Sequence, residues 1–341
     1  MPLPPHLRRC ERYLDRCRSH PDELRVLAIG DSWLSLPGNL WDGRNVVQFL
    51  NDRRWTGANG SRPMNVLSFA HPGKELADMS RDFDLHQGLG FLQELGERRG
   101  ITFGFQAVIV TGGGNDILPF PERFIGPGAD GNGTVLQARL AAALQDIRES
   151  WGDLLELAAP WRCPVIAHGY GSVTPTLKSG KIVIPFKGIG PWVGKHLLGT
   201  LGLPVERGRA LIGEVIDRLN DTMRAIPGLS WFDARDAVAS IRPSDWHDEI
   251  HFFEPGWEIL AKRWLEAIAD HVAAPVVMTA APRAAARRRV ADLTPQRKNL
   301  KPFTKDAVAE AVARDAAKRP AARKPKAARP AARKKPARKR G

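Results

Sequence analysis

The fold class predicted is α/β: a three-layer α/β/α sandwich with a mostly parallel five-stranded sheet, followed by a disordered basic C-terminal tail. Three observations predict it. Five short apolar runs are near-continuous rather than alternating, as strands buried on both faces require. Segments of helical period lie between them, and such strand–helix alternation builds doubly wound parallel sheets. Three of the runs end at or near glycine, which marks a turn at the strand's C-terminal end.

In chain order, residues 1–23 are expected to form a helix packed on the domain. Cys10 and Cys17 lie two helical turns apart and would face one core seam. The first strand is Leu24 to Ile29, ending in Gly30, followed by a helical pattern from Arg44 to Arg53. Met64 to Phe69 is the second strand, closing near Gly73, and Phe105 to Thr111 is the third, closing in Gly112-Gly113-Gly114. A long helix is expected from Thr134 to Ala159, where Leu136, Leu140, Leu144, Ile147, Trp151 and Leu155 recur at spacings of three or four. Cys163 to Ala167 and the weaker Leu229 to Phe232 complete the sheet, with helices over Arg207 to Ile226 and Pro255 to Val272. The domain so delimited spans 24–274. Two glycine-rich insertions interrupt it, Gly126 to Gly133 and Gly169 to Leu203, and the second is expected to wall the substrate. Right-handed crossovers place the loops after the strands along one sheet edge, where a site is sought.

The net charge of +14 over 341 residues divides unevenly. Residues 275–341 hold 21 Lys or Arg against 4 Asp or Glu, whereas residues 1–274 hold 30 basic and 33 acidic residues. A near-neutral body therefore carries a tail of net +17. The tail is built of Ala, Lys, Arg and Pro and cannot bury enough apolar surface to offset its ordering entropy, so disorder is expected. Its charge implies attraction to nucleic acid or to an anionic surface through counterion release. Without interleaved aromatic residues, base stacking and sequence specificity are not expected. No run is apolar enough to span a membrane, and the N-terminus lacks the apolar core of a signal peptide, so a cytoplasmic protein is expected. Three cysteines make no disulfide framework and no Cys-x-x-Cys metal pair.

Four short stretches carry chemistry. Gly30-Asp31-Ser32 follows the first strand directly, so a turn there lifts the Ser32 hydroxyl to the open sheet edge and aims its N–H into the same space. Gly73 follows the second strand and permits close approach of backbone to a ligand. Gly113-Gly114-Asn115-Asp116 follows the third, and the Asn115 amide is an uncharged donor suited to an oxyanion that forms only during reaction. Asp248-Glu249-Ile250-His251 precedes the last helix. There a carboxylate three residues before an imidazole can fix its tautomer within one turn of chain. Five further residues are candidates to line a pocket: Trp33, His71, His168, Tyr170 and Trp192. His247 and Asp245 read as loop neighbours of the fourth stretch, and Lys74 as a solvated lysine.

Taken together and in this order, Gly30-Asp31-Ser32-Trp33-Leu34, Gly73, Gly113-x-Asn115-Asp116 and Asp248-x-x-His251 resemble the four blocks of the SGNH hydrolases, also called the GDSL esterase/lipase family. The resemblance covers Leu24 to Val272, with Trp33 standing where the family motif has leucine. It implies a flavodoxin-like fold and a Ser32 nucleophile, with His251 as base oriented by Asp248. The oxyanion donors would be Ser32, Gly73 and Asn115, and no cofactor or metal is implied. The expected activity is cleavage of an acyl ester through an acyl-enzyme. The alternative is a non-catalytic nucleic-acid or polyanion binder on a degenerate hydrolase scaffold.

Overall fold

Five strands form where the apolar runs stand: β1 (Leu24–Gly30), β2 (Met64–Ser68), β3 (Ala107–Thr111), β4 (Val165–His168) and β5 (Leu229–Phe232). They pair in the order β2-β1-β3-β4-β5, and every pairing is parallel. The computed structural model describes residues 4–36, 43–52, 63–101, 104–178 and 190–272, all within one compact unit, Met1–Val290. The expectations for residues 275–341 lie outside the described residues, as does the stretch 179–189 of the second insertion. Among the described residues no helix is long and apolar enough to cross a membrane.

The main helices are α1 (Pro5–Ser19), α2 (Phe83–Arg99), α3 (Gln137–Ala158), α4 (Val205–Arg224) and α5 (Glu254–His271). From β1 the chain steps to one side of the sheet. From β2 it crosses back and continues in the other direction. Right-handed crossovers then put the first connection on one face and the next three on the other. The short helix Val46–Asn51 of the first connection packs against α5, while α3 packs against α4 and α1 against α2 and β2. This strand order creates a crevice at the C-terminal ends of β1 and β3, where the chain's direction reverses and ligands of doubly wound folds bind. Gly30 and Thr111 lie opposite each other at that edge.

Two elements differ from expectation. The segment Phe83–Arg99 shows no obvious apolar stripe in sequence but is a full helix, capped by Asp82, whose carboxylate accepts the Leu85 N–H at 2.7 Å. Its buried stripe is Leu85, Gly88, Leu92 and Gly96, at helical spacing, but half of it is glycine. Gly88 is needed there, since a Cβ would lie 2.4 Å from the Phe69 ring. The second difference is the start of α3. Thr134–Val135 pairs antiparallel with Ile125–Gly126, and the Leu136 N–H donates to the Phe124 carbonyl at 2.7 Å, so helix begins at Gln137. The glycine-rich stretch 126–133 is thus closed into a hairpin. Cys10 and Cys17 are both buried, with α1 laid on the sheet edge by Arg16, which bonds Glu23 and donates to the Met64 carbonyl at 2.7 Å.

Candidate active site

The turn after β1 is fixed by its own aspartate. Gly30 lies so close to β3 that a Cβ would meet the Thr111 Oγ1 at 2.3 Å. Across that gap the Asp31 N–H donates to Thr111 Oγ1 at 3.1 Å, and the Thr111 hydroxyl donates to Asp31 Oδ1 at 2.8 Å. The same oxygen accepts the Trp33 N–H at 2.9 Å and so caps the helical turn Ser32–Ser35. The Tyr170 hydroxyl donates to the other carboxylate oxygen at 2.9 Å. Burial, and then the Asp31 charge, hold the Tyr170 phenol well above its usual range, so it stays a donor. Ser32 is the first residue of the turn and is buried to 6 % exposure.

The loop before α5 brings the imidazole to this hydroxyl. His251 Nε2 lies 2.9 Å from Ser32 Oγ across 219 residues of sequence. Its Nδ1 lies 2.8 Å from Asp248 Oδ2 and 3.1 Å from Oδ1. Asp248 is itself held rigidly, because Oδ1 also accepts the N–H groups of Ile250 and His251 at 2.9 Å each. Burial alone would raise the Asp248 carboxyl, but bonds from His247, from His251 and from the Ile250 N–H outweigh it and push it well below the usual carboxylate range. An ionised carboxylate only accepts, so Nδ1 is the donor of this pair, and in the neutral imidazole that leaves Nε2 to accept from the Ser32 hydroxyl. His247 is more than a loop neighbour, since its Nδ1 lies 3.2 Å from Asp248 Oδ2.

The second and third stretches are tied together beside this pair. The His71 N–H donates to the Gly30 carbonyl at 2.8 Å, setting the exit of β2 next to the serine turn. Gly73 follows with φ +80°, a left-handed backbone that favours glycine. One N–H of the Asn115 amide donates to the Lys74 carbonyl at 2.9 Å, and an amide has a second. Asp116 accepts the Leu76 N–H at 3.1 Å. Gly113 enters this turn at φ +101°, and Tyr170 packs on Gly114, where a Cβ would lie 2.7 Å from its ring.

Burial raises the Asp116 carboxyl to about 6 from 3.8. A raised folded value favours the protonated form, so Asp116 contributes stability that is present below about pH 4 and lost as pH rises through about 6. Urea midpoints measured from pH 4 to 7 should therefore show a decline that flattens in Asp116→Asn. An equal decline in both chains would refute the assignment.

The pocket-lining candidates separate. Trp33, His168 and Tyr170 are 4 %, 1 % and 2 % exposed and belong to the core beneath the serine turn, not to a solvent-facing wall. Trp33 stacks on His168 with ring centroids 5.1 Å apart and meets Tyr170, Phe252 and Trp257 edge-on. The large ring at that position turns inward, where these neighbours from other elements receive it. His71 stays exposed, its Nδ1 2.9 Å from the Pro72 carbonyl. Trp192 is half-buried, edge-on to His251 with centroids 6.1 Å apart. Lys74 is not solvated as expected, since its ammonium pairs with Asp82.

Three contributors escaped the sequence reading. Asp31 was visible only as part of a Gly-Asp-Ser turn, and its partners Thr111 and Tyr170 are remote in sequence. Asp116 likewise stands in the sequence only as the neighbour of Asn115. Glu249 gave no signal apart from being acidic inside Asp-x-x-His. Its buried carboxylate accepts the N–H groups of Thr176, Trp192, Val193 and Gly194, while burial pushes its carboxyl above the usual value against those bonds.

No protein-family model matches the chain, and no curated protein sequence does. Solved structures do. The chain is similar to a candidate acylhydrolase from Bacteroides fragilis, with 14 % identity and a TM-score of 0.43 over 77 % of this chain and 97 % of that one. It is also similar to a GDSL-like lipase from Bacteroides thetaiotaomicron, with 12 % identity and a TM-score of 0.40 over 77 % and 98 %. To an acetylxylan esterase from Geobacillus stearothermophilus it has 14 % identity and a TM-score of 0.38 over 72 % and 94 %.

Proposed function

We propose that this protein is a serine ester hydrolase of the SGNH type that cleaves an acyl ester through an acyl-enzyme. The observation that carries the reading is the continuous relay Ser32 Oγ, His251 Nε2, His251 Nδ1 and Asp248, with contacts of 2.9 and 2.8 Å, at the switch point of a doubly wound sheet. In this reading His251 takes the Ser32 proton as the hydroxyl attacks the ester carbonyl. Asp248 holds the ring in the required tautomer and stabilises the imidazolium. The oxyanion is held by the N–H groups of Ser32 and Gly73 and by the Asn115 amide. Each such donor is worth about 3 kcal/mol of barrier. The imidazolium returns its proton to the leaving alcohol, and water then attacks the acyl-enzyme by the same relay.

The test is turnover of nitrophenyl esters of increasing acyl length by the intact chain and by Ser32→Ala. A folded wild-type chain that hydrolyses none of them overturns the reading. The tail adds a separate proposal, based on its net charge of +17: it attracts polyanions without sequence preference. Affinity for random-sequence DNA should fall steeply between 50 and 200 mM salt (about tenfold or more) and vanish in a chain ending at Ala274. Equal affinity in the shortened chain would overturn it.

A further inference from the structure

We infer that Glu249 is a positioning residue that holds Trp192 against His251 and so sets the wall on the leaving-group side of the site. This rests on the ester hydrolase reading above. Glu249 sits inside the loop that carries the relay, but its side chain serves a different segment. Oε1 accepts the Thr176 N–H at 2.7 Å and the Gly194 N–H at 2.8 Å. Oε2 accepts the Val193 N–H at 2.8 Å and the Trp192 N–H. A carboxylate offers about four acceptor positions, and four backbone donors occupy them here. Those donors stand on both sides of the stretch 177–191, so one buried carboxylate gathers the two limbs of the insertion. The limbs touch through backbone as well, since a Cβ on Gly194 would lie 2.0 Å from the Thr176 carbonyl oxygen.

The consequence for chemistry follows from where Trp192 is anchored. Its backbone N–H is bonded to the residue two before His251, and its indole stands edge-on to the imidazole at 73°. In ester cleavage the imidazolium must pass its proton to the leaving oxygen, which therefore comes within hydrogen-bond reach of Nε2. The inference places the departing alcohol beside the indole, since both are neighbours of the same imidazole. Trp192 should thus sort esters by their alcohol, and Glu249 should act on that selection through Trp192.

The experiment measures kcat/KM for two ester series, one varying the alcohol at constant acetyl group and one varying the acyl chain at constant nitrophenol. It compares the full wild-type chain, Trp192→Ala, Glu249→Gln and the double variant. Trp192→Ala should shift the ratio between bulky and small alcohols by about tenfold, the scale at which apolar walls discriminate. The ratio between long and short acyl chains should hold within about twofold. Glu249→Gln keeps one acceptor oxygen and turns an NH₂ toward N–H donors, so it should shift the alcohol ratio in the same direction. The double variant should shift it no further than Trp192→Ala does. If Glu249→Gln does not fold, Glu249→Asp, which keeps both oxygens one methylene short, carries the same comparison. An unmoved alcohol ratio in Trp192→Ala, or a Glu249 effect confined to the acyl series, overturns this inference alone. A wild-type chain without turnover overturns the hydrolase reading and this inference with it.

Discussion

Ser32→Ala is expected to lower kcat/KM toward a short acyl ester by about 10⁴-fold or more while leaving the fold intact. The hydroxyl is the atom that the imidazole faces at 2.9 Å, and no other hydroxyl is bonded to that nitrogen among the described residues. In the proposed mechanism, losing it removes the covalent route and leaves only what the proposed oxyanion donors and binding would supply. His251→Ala should cost nearly as much, and the double variant little more than either alone, because the two act as one unit. Asp248→Asn should also be severe, since an amide in place of the carboxylate can turn its NH₂ toward Nδ1 and favour the wrong tautomer. Steady-state kinetics on chains verified as folded by circular dichroism check all of these. Full activity in folded Ser32→Ala would place the chemistry elsewhere.

Asp31→Ala is expected to destabilise the protein by about 4 kcal/mol, a large part of the stability of a typical domain. The carboxylate is buried and accepts from the Trp33 N–H, the Thr111 hydroxyl and the Tyr170 hydroxyl. Alanine would leave three donors without an acceptor, and each such buried group costs about 1–3 kcal/mol. The Tyr170 hydroxyl has least freedom to find another partner, because its ring is packed on Gly114 and edge-on to Trp33. Tyr170→Phe removes one of the three and should cost less. In the double-mutant cycle the pair should therefore be strongly coupled. Urea denaturation of the four chains measures this. A loss below about 1 kcal/mol in Asp31→Ala would mean that solvent or a rearranged partner replaces the carboxylate. The serine turn would then not depend on it.

Much of this architecture was legible in the linear chain because it is dictated locally. Near-continuous apolar runs specify strands buried on both faces, and the runs at Leu24, Met64 and Phe105 became β1, β2 and β3 within a residue or two. Asp248 and His251 meet within one turn of loop, so their pairing needs nothing from the rest of the fold. What escaped the pattern did so for definite reasons. The α2 stripe is half glycine, and a glycine has no hydropathy to read; at Gly88 the Phe69 ring occupies the space where a side chain would sit. Trp33, His168 and Tyr170 lie at strand ends, as site residues often do, yet whether a ring there turns outward or inward depends on neighbours from other elements. Here Phe252 and Trp257 complete the cluster that draws Trp33 into the core.

By itself the sequence determined the strand order's raw material, the local acid–imidazole pair, the turn chemistry at Gly30-Asp31-Ser32, and the division into a near-neutral body and a cationic tail. These depend on neighbours along the chain, on periodicity or on counting charges. Only the tertiary structure decided that Ser32 and His251 meet, and that Asp31 joins β1 to Thr111 and Tyr170. It also decided that Glu249 fastens the insertion beside the imidazole. Those are contacts between groups tens to hundreds of residues apart. They exist because the parallel sheet brings its strand ends to one edge, and no short window of residues contains the information for them.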